Sequence, residues 1–394
     1  MRKPLILHCL DGLGIGGAER QLILLLRHRP VEMADHVVCH VGPRKELSEE
    51  IRAMGIPVVD LSGGRRYSLL ALFRLVRLAH RLRPSLIHAD HDYGKLYARF
   101  ASRILHIPLL ATMGLTASNP WRHPLLPARL SLTRRLLYLI ERTGARVATD
   151  HTMAISQTVM RDLIRKGVPP ARISVVYRGL NLAEFPRLAE TERETLRHSL
   201  GVQGSAPLLI NVARLIRRKG QEAVIRAMPA VRSRFPGAKL LLVGDGPARE
   251  RYREIVAAER LEEAVVLLGT RRDIPRLLQA ADVFVFPSLR EGTGVALLEA
   301  MAARRPCVVS DVPVFREILG EEGAGVFVPI ERPDLLAEAL IDVLGDPARL
   351  TEMGRGAREI IEERFDIERN AQEFARLCQW LITARRFGAP AEAA

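Results

Sequence analysis

The chain has 394 residues, 48% of them apolar and 26% charged, with a net charge of +14. That length and balance predict two or three globular domains with sizeable cores and exclude a disordered or fibrous chain. No run of eighteen apolar residues occurs, so no transmembrane helix is expected.

The opening "MRKPLILHCL" reads as a buried first strand, because its apolar stretch is too short for a signal peptide and a glycine loop follows it. That loop, "LDGLGIGGAER", contains Gly12, Gly14 and Gly17 in the G-x-G-x-x-G spacing of a dinucleotide-binding turn. "ERQLILLLRHR" is then a helix, "HVVCHV" a strand and "KELSEEIRAMG" a helix ending at Gly55. "PVVDL", "SLLALFRLVRLAHRLRP" and "SLIHAD" continue as strand, helix and strand, followed by "IPLLAT", "HTMAIS" and "ISVVYRG". From Glu184 to about Gly204 the chain turns polar and irregular. A second alternating set begins at Leu208 with "LLINVA" and runs through "AVIRAMPAVRSRFPG", "AKLLLVG", "REIVAAERL", "AVVLLG", "DIPRLLQA", "DVFVFP", "GVALLEAMAA" and "PCVVS". Strands alternating with helices predict parallel sheets covered on both faces, hence an α/β fold in two domains. The boundaries expected are 1–182, a linker at 183–205, a second domain at 206–365 and a helix over 366–388 returning to the first domain.

Cys9, Cys39, Cys307 and Cys378 are far apart, and the first three sit in or beside apolar runs. This pattern indicates buried thiols in a reducing cytoplasm and argues against disulfides or a zinc site. The charge is lopsided. Residues 1–180 hold 28 Lys and Arg against 13 Asp and Glu, whereas the remainder holds 31 against 32. A basic first domain suggests a polyanionic neighbour: nucleic acid, anionic lipid or a phosphorylated substrate.

An NAD-binding turn needs an acidic residue at the end of the second strand to hold the ribose. Here His40 and Val41 stand in that place, and the basic Pro43-Arg44-Lys45 that follows leaves room only for a reader of a 2'-phosphate. Two other readings remain. The glycines let strand and helix pack closely, or the backbone around Gly16 and Gly17 offers N–H groups to a substrate anion at a helix N-terminus.

The stretch "FPSLREGTGVALLEAMAARRPCVVSD" is the most informative. Glu291 precedes Gly292-Thr293-Gly294, and Glu299 lies eight residues further on, in the helix opened by Val295. A glycine loop at a helix N-terminus suits a diphosphate. Glu291 lies ahead of it, where it can accept from sugar hydroxyls, and Glu299, about 7 Å along the helix from Gly294, can reach a ribose. The plain alternative is a helix cap and an exposed helix residue.

This pattern resembles the E-x7-E element of the retaining nucleotide-sugar glycosyltransferases of group 1 (family 4), which have the GT-B fold. "NVARLIRRKG" is similar to that family's R-x4-K-G, placing Arg214 and Lys219, and "LLLVGDGPARERY", "LLGTRRDIPRLL", "AADVFVFPS" and "ISQTVMRDLIRKGVPPARISVVYRGLN" are similar to family blocks. The resemblance implies two Rossmann-like parallel-sheet domains facing each other across a cleft, the first binding acceptor and the second binding the nucleotide-sugar. It implies a metal-independent, retaining hexosyltransferase with no cofactor, acting in cell-surface polysaccharide or glycolipid biosynthesis on a UDP- or GDP-sugar. Arg214 and Lys219 would neutralise the donor diphosphate. Glu291, Gly292, Thr293, Gly294, Val295, Glu299 and Gly244 would line the donor site, and the "GGAER" loop, Gly16 and Gly17 included, would face the donor phosphates. Arg217 and Arg218 read as solvated neighbours. Asp90-His91-Asp92 mimics a metal-binding D-x-D but sits in the acceptor domain, so it is not read as a metal site.

Two departures stand out. The family's histidine after the strand matching "PLLAT" is replaced by Met113-Gly114, for which His88 and His91 are candidate substitutes. The family's N-G-x-D reads Arg178-Gly179-Leu180-Asn181, a hinge variation in which Arg178 is a candidate for an added phosphate contact. The basic helices around Arg74, Arg77, Arg81 and Arg83, and around Trp121, Arg122, Arg129, Arg134 and Arg135, suit contact with an anionic membrane. A cytoplasmic protein, peripheral at the inner face of the plasma membrane, is expected, with a glycan or lipid-linked acceptor. No nucleic-acid motif accompanies the basic patch. The rival functions are a GT-B sugar-nucleotide epimerase or hydrolase and a non-catalytic nucleotide-sugar-binding protein.

Overall fold

The computed structural model describes residues 3–14, 16–64, 68–114, 148–320 and 323–386. Among them the strands are β1 (Leu5–Leu10), β2 (Asp35–His40), β3 (Val58–Asp60), β4 (Leu86–Ala89), β5 (Leu109–Met113), β6 (His151–Ala154) and β7 (Ile173–Val175), then β8 (Leu208–Val212), β9 (Lys239–Val243), β10 (Val265–Gly269), β11 (Val283–Phe286), β12 (Cys307–Ser310) and β13 (Gly325–Val328). They form two sheets, ordered β3-β2-β1-β4-β5-β6-β7 and β10-β9-β8-β11-β12-β13. Every strand pairing is parallel, as in β1 to β4 (Leu7 opposite Ile87) and β8 to β11 (Leu209 opposite Val283).

Both sheets start in the middle, run outward to one edge, then return and run to the other. The strand order therefore reverses between β1 and β4 in the first sheet and between β8 and β11 in the second. Loops leaving the carboxyl ends of those strand pairs diverge and open a crevice, which is where open α/β sheets hold ligands. Central strands are buried on both faces, which is why "LILHCL" and "VFVF" read as unbroken apolar runs.

The chain forms two units. One comprises the described residues up to Gly179 together with those from Ile367 on, and the other is Leu180–Asp366. In the first unit the helix Ile367–Arg386 lays Phe374, Leu377, Cys378, Leu381 and Ile382 over Ile6, Leu86, Leu110, Met153 and Val176. The second unit has a core around Leu209, Leu240, Leu242, Val285 and Val308. Helix ends follow sequence chemistry. Ser68 and Ser156 accept the N–H of Ala71 and Val159 at 3.2 and 3.1 Å, and Asp346 caps the helix Pro347–Arg364, whose first residue is proline.

The segment expected as a linker, 183–205, contains the helix Glu190–Ser199 and belongs to the second unit. This helix is held by guanidinium groups. Arg193 and Arg197 reach Asp282 at 2.7 and 3.0 Å, and Arg197 also donates to the carbonyls of Ala280 and Ala206. Cys9, Cys39, Cys307 and Cys378 are free, buried thiols. Among the described residues no helix is long and apolar enough to cross a membrane.

Candidate functional site

In the second unit, the loops after β8 and β11 flank the point where strand order reverses, and they carry most of the expected site. Lys219, in the turn Arg217–Lys219, forms an ion pair with Glu291 from the loop after β11. Ser288 donates to the same carboxylate oxygen at 2.7 Å, and the Lys219 ammonium lies 5.1 Å from the centroid of the Phe286 ring. The side chains of Lys219 and Glu291 are only 16% and 8% exposed. With water largely excluded, the pair is stronger than a surface salt bridge and costly to break.

The two loops are stitched together further. Leu289 N–H donates to Arg218 O at 2.9 Å, and the Arg218 guanidinium donates to Arg290 O at 3.0 Å. Arg218 is therefore a structural tie between the loops, which corrects its reading as a solvated neighbour. Arg217 is exposed and lies 3.6 Å from Glu331. Arg214 is exposed, and its guanidinium has no hydrogen-bond or ion-pair partner among the described residues; its carbonyl accepts from Gln221.

The glycines here answer steric demands. Gly220 has φ +72° and sits against the Pro287 carbonyl, which any side chain would strike. Gly294 caps the helix Val295–Ala302 with φ +78°, where a Cβ would lie 3.0 Å from the Phe315 ring and 3.3 Å from that of Phe286. Gly292, Thr293 and Gly294 are buried, and Val295 and Glu299 are half-buried on the helix that follows. Gly244 has φ +130° and packs on the Ala213 carbonyl, while its N–H donates to Gly269 O at 2.8 Å. The N–H that a ligand would use is thus taken, which corrects Gly244 from a donor contact to a packing position.

In the first unit, Gly12 and Gly14 lie beneath Arg44. Leu13 N–H donates to Arg44 O at 2.8 Å, and a Cβ on Gly12 would meet the Arg44 Cβ at 3.1 Å. These glycines serve the close packing of their loop against Arg44. Gly16 caps the helix Gly17–Arg27, and the Glu19 carboxylate from the third helical position folds back over it. The positive end of that helix is therefore already balanced by its own residue, whereas the space around Gly17 is open. The Gly16 N–H itself donates to Gly14 O at 3.0 Å.

A polar cluster surrounds the carboxyl ends of β1 and β4. Asp11 accepts the Gly94 N–H at 2.6 Å, and burial pushes its carboxyl up to about 6 against that bond. Gly94 is required there, since a Cβ would lie 2.9 Å from Cys9 O. His91 adopts φ +63° at the N-terminus of the helix Asp92–Leu105, a strained backbone for a non-glycine residue. Its Nε2 is 3.8 Å from Glu19, and its buried Nδ1 has no hydrogen-bond partner among the described residues. Burial raises the Asp90 carboxyl, but His91, Arg178, His88 and Lys95 outweigh it and hold Asp90 below the usual range. Burial lowers the Arg178 guanidinium against the opposing pull of Asp90 and Glu19. Lys95 is buried with its Nζ 3.1 Å from Met113 Sδ and 3.6 Å from Asp92. The position where the family histidine was expected thus holds a sulfur met by an ammonium group.

His88 stands beside this cluster but makes its hydrogen bonds elsewhere. Its Nδ1 lies 2.9 Å from His8 Nδ1 and its Nε2 2.7 Å from Thr112 Oγ1, while His8 Nε2 lies 2.9 Å from His36 Nδ1. Both ring nitrogens are engaged inside the unit, and the ring packs edge-on against Phe374. His88 is corrected from a catalytic candidate to a member of a buried histidine chain. Asp11, Glu19 and Lys95 escaped the sequence reading, since their convergence arises only from sheet order; the signal available was their place just past strand ends.

Family models agree with this geometry. The model described as "Glycosyl transferases group 1" matches residues 192–360, and the one described as "Glycosyltransferase Family 4" matches residues 15–184. The chain belongs to the group 1 glycosyltransferases. An uncharacterized glycosyltransferase of Methanocaldococcus jannaschii is 34% identical over 208 residues, spanning 52% of this chain and about half (53%) of that protein. The UDP-Gal:alpha-D-GlcNAc-diphosphoundecaprenol alpha-1,3-galactosyltransferase of Escherichia coli is 24% identical over 364 residues, covering 90% of this glycosyltransferase and 91% of that one. The crystal structure of Anabaena HepE in complex with UDP-glucose aligns with a TM-score of 0.81 at 24% identity, covering 95% and 99% of the two chains. The two sheets of this glycosyltransferase are therefore the paired Rossmann-like domains of the GT-B fold.

Proposed function

We propose that this glycosyltransferase moves a hexose from a nucleoside-diphosphate sugar to a glycan, lipid-linked glycan or glycolipid, with retention at the anomeric carbon and without a metal ion. The observation that carries the reading is the Lys219–Glu291–Ser288 cluster beside the glycine-opened helix Val295–Ala302. Lys219 and the exposed Arg214 supply the cations for a leaving diphosphate, and the helix N-terminus adds its partial charge. Glu291, oriented by Ser288 and Lys219, keeps lone pairs for hexose hydroxyls. Glu299 takes the ribose. In the first unit, His91, with its orphaned ring nitrogen, and Arg178 are the side chains assigned to the transferred sugar and acceptor.

The Escherichia coli relative is named for a UDP-sugar donor and a diphosphoundecaprenol-linked acceptor. This supports a UDP-sugar and a lipid-linked acceptor here as well. Contact with an anionic membrane is supported by the helix Leu69–Leu82, which exposes Leu69, Leu70 and Phe73 beside Arg77 and Arg81. Arg74 is also exposed, with one N–H donated inward to Leu61 O at 3.1 Å. The segment around Trp121, Arg122, Arg129, Arg134 and Arg135 lies outside the described residues.

A thermal-shift screen of UDP- and GDP-sugars tests the donor assignment. Ligand at a hundredfold excess over its dissociation constant adds about 2.7 kcal/mol of stability. A hit is then followed by transfer assays with lipid-linked acceptors and anomeric analysis of the product. Donor turnover without acceptor identifies a hydrolase or epimerase, and binding without turnover identifies a binding protein.

A further inference from the structure

The second unit contains a cavity of about 500 Å³ that is not at the donor loops. Asp282 precedes β11, and Arg305 and Pro306 precede β12, so the cavity lies at the amino edge of the sheet. Glu291 and Ser288 lie beyond the carboxyl edge. The two places are separated by the length of β11, roughly 13 Å at about 3.3 Å per residue.

Five arginines line this cavity: Arg187, Arg193, Arg304, Arg305 and Arg355. Glu190 and Asp282 also line it, but both are committed. Arg193 holds Glu190 at 3.2 Å, and Asp282 serves Arg193, Arg197 and the Leu208 N–H. Arg355 pairs with Glu352 and Glu359. Arg187, Arg304 and Arg305 have no carboxylate within ion-pair distance among the described residues. Arg305 is tied in place by the carbonyls of Ala303 and Ala281, at 2.9 and 2.7 Å through Nε and Nη1. Burial pulls its guanidinium down to about 10, with repulsion from Arg193 and Arg187 outweighing the pull of Asp282. The helix Pro347–Arg364 lines the cavity along one side, through Pro347, Leu350, Thr351 and Gly354, and its N-terminus is already capped by Asp346. Phe185, Leu188 and Pro306 supply apolar wall.

Three guanidiniums without an ion-pair partner among the described residues, Arg187, Arg304 and Arg305, around a concave volume of this size suit a small ligand with a concentrated negative charge and a compact body. We propose that this cavity binds a phosphorylated small molecule of monosaccharide or nucleoside size, at a site separate from the donor loops. Arg305 is the pre-positioned anchor, and Arg187 and Arg304, both exposed at the rim, close on the phosphate.

The test is calorimetric titration of the full-length protein, at fixed ionic strength, with inorganic phosphate, glucose 6-phosphate and AMP. Saturable binding is expected for at least one of the two organic phosphates, at least threefold tighter than for inorganic phosphate; which one binds separates a sugar phosphate from a nucleotide. Arg187→Ala/Arg304→Ala should weaken that binding at least tenfold, while Lys219→Ala leaves it within twofold. The charge-reversed Arg187→Glu should weaken it at least as much as its share of the double variant, giving a second reading should the double variant misfold. No saturable binding by the wild type overturns the proposal. So does binding that persists in both rim variants, or that disappears in Lys219→Ala, which would place the ligand at the donor loops.

Discussion

Lys219 and Glu291 are 72 positions apart in sequence, yet they form one ion pair across the reversal point of the second sheet. Removing Lys219 leaves a mostly buried carboxylate with Ser288, at 2.7 Å, as its remaining side-chain donor among the described residues. Lys219→Ala should therefore cost about 1–3 kcal/mol of stability and lower the transfer rate more than donor affinity. Urea denaturation and single-turnover kinetics on the same preparation check both parts. A rate equal to wild type would remove Lys219 from the chemistry.

Glu299→Ala should act on binding. Loss of a bidentate ribose contact is expected to raise the donor dissociation constant about tenfold, equivalent to about 1.4 kcal/mol. The turnover number at saturating donor should change less than twofold. Unchanged affinity in calorimetry would overturn the ribose assignment.

Gly244→Ala should destabilise the second unit without any ligand present. The φ of +130° is unfavourable for alanine, and the Cβ would strike the Ala213 carbonyl. A loss of about 1–3 kcal/mol is expected, read as a lower melting temperature in the apo protein. A neutral substitution would show that the turn relaxes freely.

The buried histidine chain should make the first unit acid-sensitive. Burial lowers His88 to about 4 and His36 to about 4, and holds His8 well below its ordinary value. The unfolded rings take up protons near pH 6.5, so between about pH 6.5 and 4 the unfolded chain binds more protons than the folded one. Stability is full above that window and falls as pH drops through it, by up to about 1.4 kcal/mol per pH unit for each ring. Denaturant midpoints at pH 7.5 and 5.5 should differ accordingly, and a His8→Asn variant should show a shallower dependence.

Membrane contact through the helix Leu69–Leu82 predicts a specific pair of substitutions. Leu69 and Phe73 are 84% and 65% exposed and share one face at i, i+4 spacing. Leu69→Ser/Phe73→Ser should reduce co-sedimentation with anionic phosphatidylglycerol vesicles at least fivefold while leaving the melting temperature unchanged. Equal sedimentation of both proteins would move any membrane contact elsewhere.

The alternation of strand and helix was legible in the sequence because parallel strands buried on both faces are continuous apolar runs, and "LLINV" or "VFVF" admits few other readings. The donor loops were legible because Glu291, Gly294 and Glu299 fall within nine residues. The helix Glu190–Ser199 was hidden because it docks through Arg193 and Arg197 onto Asp282, and periodicity methods see apolar stripes, not salt links. His88 and His91 looked equivalent in "SLIHADHD". Only the register of β4 shows that His88 faces inward to His8 while His91 stands past the strand end with a strained backbone. Gly244 likewise looked like a nucleotide contact, because a donated N–H leaves no trace in sequence.

The return of the helix Ile367–Arg386 to the first unit has a consequence for biosynthesis. Leu180–Asp366 is a continuous stretch, able to fold as soon as it clears the ribosome. The first sheet, made earlier, lacks the cover that Phe374, Leu377 and Leu381 place over Ile6, Leu86 and Leu110. Its apolar face stays open until the helix Ile367–Arg386 has been made. The half that is synthesised second is thus completed first, and the nascent amino-terminal half is the one that needs protection from aggregation.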